Sequence, residues 1–544
     1  MHIGMNNLIR TTNCRNDDKR YHFATFSLLA IIIVAILVSL IFIDVGSSYI
    51  DKNYNVNGLA LVTSLVMSGD RYFTGNAYAQ SDEPVLRYSD SGIPVIQVPG
   101  LTTEIVAEGL ELPTTMAFLG PTDILVLEKD KGTVKRITDG QVQVEPLLDV
   151  NVANAVEECM CGIAISRNNL AADGSVNRTY VFIYYTESDA DGGNPIGNRM
   201  YRYEFLDGQL VNPKLLLDLP GLPGPRHNGG AIKIGPDNNV YAPIGDVDKV
   251  DSTTEAQNNP ENPADGTSGI LRITQDGEPV KDPTMGSYIL GDTFPLNLYY
   301  AYGIRNSFGI DFDPVTGNLW DTENGAGYGD EINLVEPGFN SGWGQVMGIW
   351  ERGGGDPREG ESTIASEQPQ TLVELSGIGK YQPPKLAWLY TIGLTAIEFL
   401  DSDKYGNGFK NDMFVGDIHN GNIYHFKLNE GRTELILTDP LADKVADTDD
   451  EAFSTEIVFG TGFGGISDIE VSPFDGYMYV VSLGLGKIFK IVPGEQVIST
   501  STDEGIPDQN DNEATEGDQD NTITDDGDDG NGGGGSSNSD NDGN

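Results

Sequence analysis

One histidine, His227, sits where an imidazole can work, in the polar, glycine-flanked run Pro225-Arg-His-Asn-Gly-Gly230 at the approach to a strand. Imidazole titrates near neutrality, which suits proton transfer. His2 and His22 precede a long apolar stretch, and His425 falls inside a predicted strand as a structural residue. The second chemical cluster spans residues 301–344. Arg305-Asn306 opens a strand-like run over 308–312, and the turn Asp313-Pro-Val-Thr-Gly317 leads to a second strand around Leu319-Trp320. Then Glu323-Asn-Gly-Ala-Gly-Tyr-Gly-Asp-Glu331 alternates glycines with side-chain oxygens. Such a loop brings carbonyls and carboxylates close to a ligand or a hard cation. A solvated turn is the ordinary alternative.

Strands must position these groups. From near Val85 onward the helical period is almost absent, and short alternating apolar runs recur beside turn signals. Ile124-Leu-Val-Leu127 precedes Gly132-Thr-Val-Lys-Arg-Ile137, and Met413-Phe-Val415 precedes Asn422-Ile-Tyr-His-Phe426. A turn, strand, glycine, strand sequence returns at Gly235-Pro-Asp237, Asp313-Pro314 and Ser472-Pro-Phe-Asp-Gly476. This repetition predicts an all-β chain forming a β-propeller over 84–494, with an array of β-sandwiches as the alternative.

Residues 301–344 resemble the glucose/sorbosone dehydrogenase family, whose members are soluble-type aldose dehydrogenases that use pyrroloquinoline quinone (PQQ). The family pattern G-H-R-N-P-Q-G, E-x-G-P, D-E-I-N and G-x-N-Y-G-W is matched by Gly303-Ile-Arg305-Asn306-Ser-Phe-Gly309, Glu323-Asn-Gly325, Asp330-Glu-Ile-Asn333 and Asn340-Ser-Gly342-Trp343. The block from His227 to Asp237 lies upstream in the family's order. The resemblance implies six blades, His227 as catalytic base and Arg305 polarising a quinone oxygen. It implies Asn306 as a cofactor contact, and the carbonyls of Gly325 and Ala326 as ligands of the Ca²⁺ that touches the quinone. It further implies a structural Ca²⁺ at the carbonyls of Met347 and Ile349 with Glu351, and more loosely Glu374. The implied substrate is an aldose, oxidised to a lactone; the electron acceptor is not specified.

The chain departs from the family at three cofactor contacts. His419 stands at the family's lysine, Gly465 and Ser467 stand at its Arg-x-Arg, and Glu157 stands at its glutamine. PQQ carries three carboxylates, so lost cations weaken its hold. Lys129, Arg226 and Lys410 are candidates to compensate. The other function class open to such a chain is a surface propeller that has lost the cofactor and serves as a binding or scaffold module.

The 544 residues carry a formal net charge of −49, which excludes ordinary nucleic-acid binding. Residues 1–22 are polar and basic, and 23–43 are almost purely apolar, long enough for a transmembrane helix. The flanking charges place the N-terminus inside and the bulk outside the cell membrane. Residues 44–83 read as a tether. The alternative is secretion after cleavage near Ala79, within Ala77-Tyr-Ala79-Gln80. Residues 495–544 are acidic and almost devoid of apolar side chains, so a disordered tail is expected. Cys159 and Cys161 flank one residue, a spacing that strains a disulfide, so two thiols, or pairing with a further partner, are expected.

Overall fold

Short runs of β-branched and aromatic residues closed by Gly, Asp or Pro dictate strands rather than helices. The computed structural model describes residues 92–494 except 171–176, 250–254, 361, 366–368 and 370. It folds them into six sheets of four to six strands plus a two-stranded ribbon. The apolar stretch 23–43, the tether 44–83 and the acidic tail lie outside the described residues. Among the described residues no helix is long and apolar enough to cross a membrane.

The sheets follow chain order. Their innermost strands are Pro113–Gly120, Met160–Leu170, Lys233–Ile234, Ser307–Phe312, Leu394–Phe399 and Ile466–Val471. Antiparallel neighbours stack outward from each. The third sheet gains Phe339–Asn340 and Lys380–Tyr381 in parallel, and the fourth gains Val445–Ala446. These additions extend the two sheets outward, leaving less open edge for stray pairing.

Specific contacts join each innermost strand to the next. Thr115 Oγ1 donates to the Cys161 carbonyl at 2.9 Å. A Cβ on Gly162 would stand 2.7 Å from the Gly230 carbonyl, so the second and third sheets meet through bare backbone. Ala231 N–H donates to the Phe308 carbonyl at 2.8 Å. Thr322 Oγ1 donates to the Thr395 carbonyl, Thr395 Oγ1 to the Ile466 carbonyl and Ser467 Oγ to the Pro113 carbonyl, at 2.7, 2.6 and 2.8 Å. The circle therefore closes. The last sheet completes itself with Leu101–Glu108, which pairs with Lys487–Pro493 and ties the two ends of the ring together. This is an all-β propeller.

The innermost strands all run in one direction, so the ring has two distinct mouths. The strand starts carry the residues singled out for chemistry. At the far ends Lys233 Nζ lies 2.8 Å from Glu398 and 2.7 Å from Glu470, with Asp311 at 3.9 Å. Burial pushes the carboxyl of Asp311 up to about 6 and that of Asp468 up to about 8, and it drives Glu398 well above its usual range; one lysine does not offset four acids. Groups with raised folded-state pKa bind more protons folded than unfolded, so their contribution to stability is present at low pH and lost as pH rises through those values. In calcium-free buffer, Tm by calorimetry is expected to fall between about pH 5 and about pH 8. A Tm that climbs across that window contradicts this ionisation pattern.

Candidate functional site

His227 lies in the loop between the second and third sheets, just before Lys233–Ile234. Its backbone adopts φ 61°, a left-handed conformation that a residue with a Cβ resists. Two carboxylates hold it there. Its N–H donates to Glu157 Oε2 at 2.7 Å, and its Nδ1 sits 2.5 Å from Asp246 Oδ1. A carboxylate only accepts, so Nδ1 carries the proton and Nε2 presents a lone pair. Asp246 is itself fixed, since its Oδ2 accepts from Trp343 Nε1 at 2.8 Å and its N–H donates to the Arg305 carbonyl at 2.9 Å. Both His227 and Asp246 are buried.

Asp246 was not among the residues selected from the sequence. Its only signal there is a Gly-Asp pair directly after an apolar strand. The glycine matters. A Cβ on Gly245 would stand 2.4 Å from the Arg305 carbonyl and 2.6 Å from that of His227, so the two segments touch only because position 245 has none. Residues 78 positions apart in the chain thus meet across one glycine.

Arg305 is half-buried, and desolvation lowers its pKa from the ordinary arginine value while Asp246, Glu157 and Glu323 oppose that shift. It stays charged at neutral pH. Its guanidinium donates to the Asn324 carbonyl at 2.8 Å and lies 5.4 Å from the Trp343 ring centroid. Among the described residues it forms no salt bridge. Asn306 Nδ2 donates at 3.3 Å to Glu157 Oε2 and at 3.4 Å to Asn324 Oδ1, and its side-chain Oδ1 is buried without a partner. Glu157, His227, Arg305 and Asn306 therefore form one cluster at the strand-start mouth.

The glycine-rich loop is shorter than the sequence suggests. Leu319–Glu323 and Asp330–Val335 are strands, leaving 324–329 as the connection. Gly325 N–H donates to Asp330 Oδ1 at 2.8 Å, and a Cβ there would stand 1.9 Å from the Tyr328 carbonyl. Ala326 is exposed. The carbonyls of Gly325 and Ala326 accept no hydrogen bond among the described residues. His419 is exposed, with Nδ1 3.4 Å from the Thr391 carbonyl, and its charge acts on buried Asp330.

Glu323 and Glu331 are not loop acids as read from the sequence; they face each other in strand register, fully buried. Like charges directly opposite are unfavourable. Burial raises both pKa values, and Glu331 also sits beside Glu323. Both oxygens of nearby Asp321 lack a full hydrogen bond although Ser307 and Asn333 lie beside it. Glu331 Oε1 accepts the Gly348 N–H at 2.5 Å, which brings a buried carboxylate between Met347 and Ile349. Met347 and Glu351 lie on the hairpin Val346–Met347 and Trp350–Glu351, and the Ile349 carbonyl already accepts from Ala365. Glu374 is exposed on a separate segment beside the third sheet. Glu331, absent from the sequence selection, is better placed than Glu374 toward Met347 and Ile349. Among the described residues no three His, Cys, Asp or Glu side chains are gathered as a metal site.

Two further expectations are corrected. Cys159 and Cys161 form a disulfide rather than two thiols. A bulge between Met160 and Gly162 brings their Cα atoms to 5.1 Å, inside the ordinary bridging range, which a regular strand would not do. The compensating cations are committed elsewhere: Lys129 pairs with Asp130 at 2.8 Å and Arg226 with Asp248 at 3.4 Å. Lys410 belongs to the turn joining Leu394–Phe399 to Met413–Asp417, at the opposite mouth from His419.

The family model for glucose/sorbosone dehydrogenases matches residues 110–489. The chain is 26% identical over 309 residues to quinoprotein glucose dehydrogenase B of Acinetobacter calcoaceticus, covering 46% of this chain and 62% of that protein. It is 25% identical to an aldose sugar dehydrogenase of Escherichia coli, covering 41% of this chain and 50% of that protein. The chain thus spans between half and two thirds of the length of these two relatives. In three dimensions it resembles the apo-form of the E. coli aldose sugar dehydrogenase, with TM-score 0.51 and 18% identity over 72% of this chain and all of that one. That likeness establishes the fold.

Proposed function

We propose, from the premise that this chain belongs to the glucose/sorbosone dehydrogenase family, that it oxidises the C1 hydroxyl of an aldose to a lactone using PQQ and Ca²⁺. The observation that carries this reading is the His227–Asp246 pair set against a half-buried Arg305. We count the six sheets as six blades, and we place the ring outside the cell membrane, anchored by residues 23–43 or released near Ala79.

The residues at the mouth fit an oxygen-rich, anionic group. Arg305 is a half-buried cation without an ion pair among the described residues, and the side-chain oxygen of Asn306 is a buried acceptor without a donor. Arg305 and Asn306 would hold the cofactor, with Glu157 and His419 at its periphery. Bound there, the quinone supplies a two-electron acceptor for the hydride leaving C1. His227 Nε2 takes the hydroxyl proton while Asp246 retains the one on Nδ1. Arg305 sets a fixed positive charge where negative charge develops. The free carbonyls of Gly325 and Ala326 suit one Ca²⁺. Glu331 with the carbonyls of Met347 and Ile349, and Glu351 from the same hairpin, suit another, which would relieve the opposed Glu323–Glu331 pair.

Glu157 and the missing cations at 419, 465 and 467 favour a second reading, a propeller that binds a surface partner without the cofactor. Reconstitution separates the two. Incubation of the protein with PQQ and Ca²⁺, then aldose with a reducible dye, is expected to give sugar-dependent dye reduction. Folded protein that takes up no quinone and turns over no sugar would leave only the second reading.

A further inference from the structure

Resting on the aldose reading, we propose that Glu157 makes the pocket charge-selective, so that the preferred substrate is a cationic amino sugar rather than a neutral or anionic aldose. Oε2 of Glu157 accepts from His227 N–H and Asn306 Nδ2, which aims the carboxylate into the cluster. Oε1 takes no hydrogen bond and Glu157 joins no salt bridge among the described residues. The Glu157 side chain is only partly buried and lies at the mouth where His227 and Asn306 meet. The proton acceptor Nε2 belongs to the residue whose backbone Glu157 holds. A sugar whose hydroxyl reaches Nε2 enters the mouth that Glu157 borders.

The surrounding charges point the same way. Asp246 and Glu157 flank His227; Arg305 feels the charge of Glu157 but donates to the Asn324 carbonyl and makes no salt bridge among the described residues, and Arg352 is taken up over the Trp343 ring at 4.2 Å. Arg226, close by in the chain, is neutralised by Asp248. The chain carries −49 overall, which draws cations and repels uronic acids at a distance. An ammonium on the carbon next to C1 meets an open carboxylate; a carboxylate on the sugar meets two.

The test compares a 2-amino-2-deoxy aldose, at a pH where its ammonium is charged, with the matching neutral aldose and the matching uronic acid. The full chain is loaded with PQQ and Ca²⁺, and both kcat/KM and calorimetric binding are read. The amino sugar is expected to lead the neutral sugar by about tenfold, with the uronic acid last. Glu157→Gln keeps an acceptor oxygen for His227 and is expected to erase that lead, read as the ratio of kcat/KM for the two sugars within the same variant, so that any loss of rate common to both cancels. Equal kcat/KM for the amino and neutral sugars in the wild type, or a lead that survives Glu157→Gln, overturns the proposal. Binding of the amino sugar that is lost in Glu157→Gln, without any turnover, supports the charge selection and refutes the dehydrogenase reading instead.

Discussion

His227→Ala is expected to lower kcat for aldose oxidation by about a hundredfold to ten-thousandfold, the range a positioned general base supplies. Uptake of quinone should persist, because Arg305, Asn306 and the Gly325–Ala326 carbonyls are untouched. The fold should persist as well. His227 is held in a left-handed conformation by Glu157 and Asp246, and alanine keeps the N–H that Glu157 accepts. Removing the ring does leave Asp246 Oδ1 with one donor fewer, retaining only the Asp248 N–H at 3.0 Å. A modest loss of Tm, on the order of a few degrees, is therefore expected beside the large loss of rate. Unchanged kcat with bound quinone places the base elsewhere.

Asp246→Asn is expected to cut kcat by about a thousandfold or more while KM moves little, as when an orienting carboxylate loses its charge and the imidazole tautomer reverses. In the native protein the carboxylate compels Nδ1 to hold the proton. An amide at the same place can donate to Nδ1, which moves the ring proton to Nε2 and removes the acceptor that faces the substrate. The shape is nearly conserved, so circular dichroism and Tm serve as controls. A histidine ring-nitrogen NMR spectrum distinguishes this effect from misfolding, because the tautomer change is visible without substrate. A native-like tautomer with native kcat contradicts the role given to Asp246.

Much of the ring was legible in the sequence. Strands such as Met413–Asp417 and Ile423–Phe426 announce themselves by alternation between turns, and a register error in them would turn their apolar faces outward. His425 reads correctly as structural, its Nε2 meeting Asp412 at 2.8 Å. His227, Arg305 and Asn306 stand out by motif spacing. What stayed hidden depends on register and on long-range placement. Glu323 and Glu331 look like loop acids because a glycine-rich run lies between them, yet the strands extend to both and bury them face to face. Asp246 is invisible because only the meeting of the third and fourth sheets at Gly245 gives it a task. The Cys159–Cys161 bond depends on a single bulged residue that no local pattern announces. Lys410 was a plausible cofactor cation by proximity in the chain and lies at the wrong mouth once the strand directions are known.

The central claim is that His227 and Arg305 share a mouth of the ring where an aldose loses hydride from C1. Anaerobic mixing of the quinone- and calcium-loaded protein with aldose, followed by the quinone absorbance within a single turnover, tests it most directly. The account predicts a change of absorbance to the reduced form, slowed when deuterium replaces hydrogen at C1 and slowed by about a hundredfold or more in His227→Ala. Quinone demonstrably bound and unchanged by any aldose, or a change indifferent to both deuterium and His227, would contradict it.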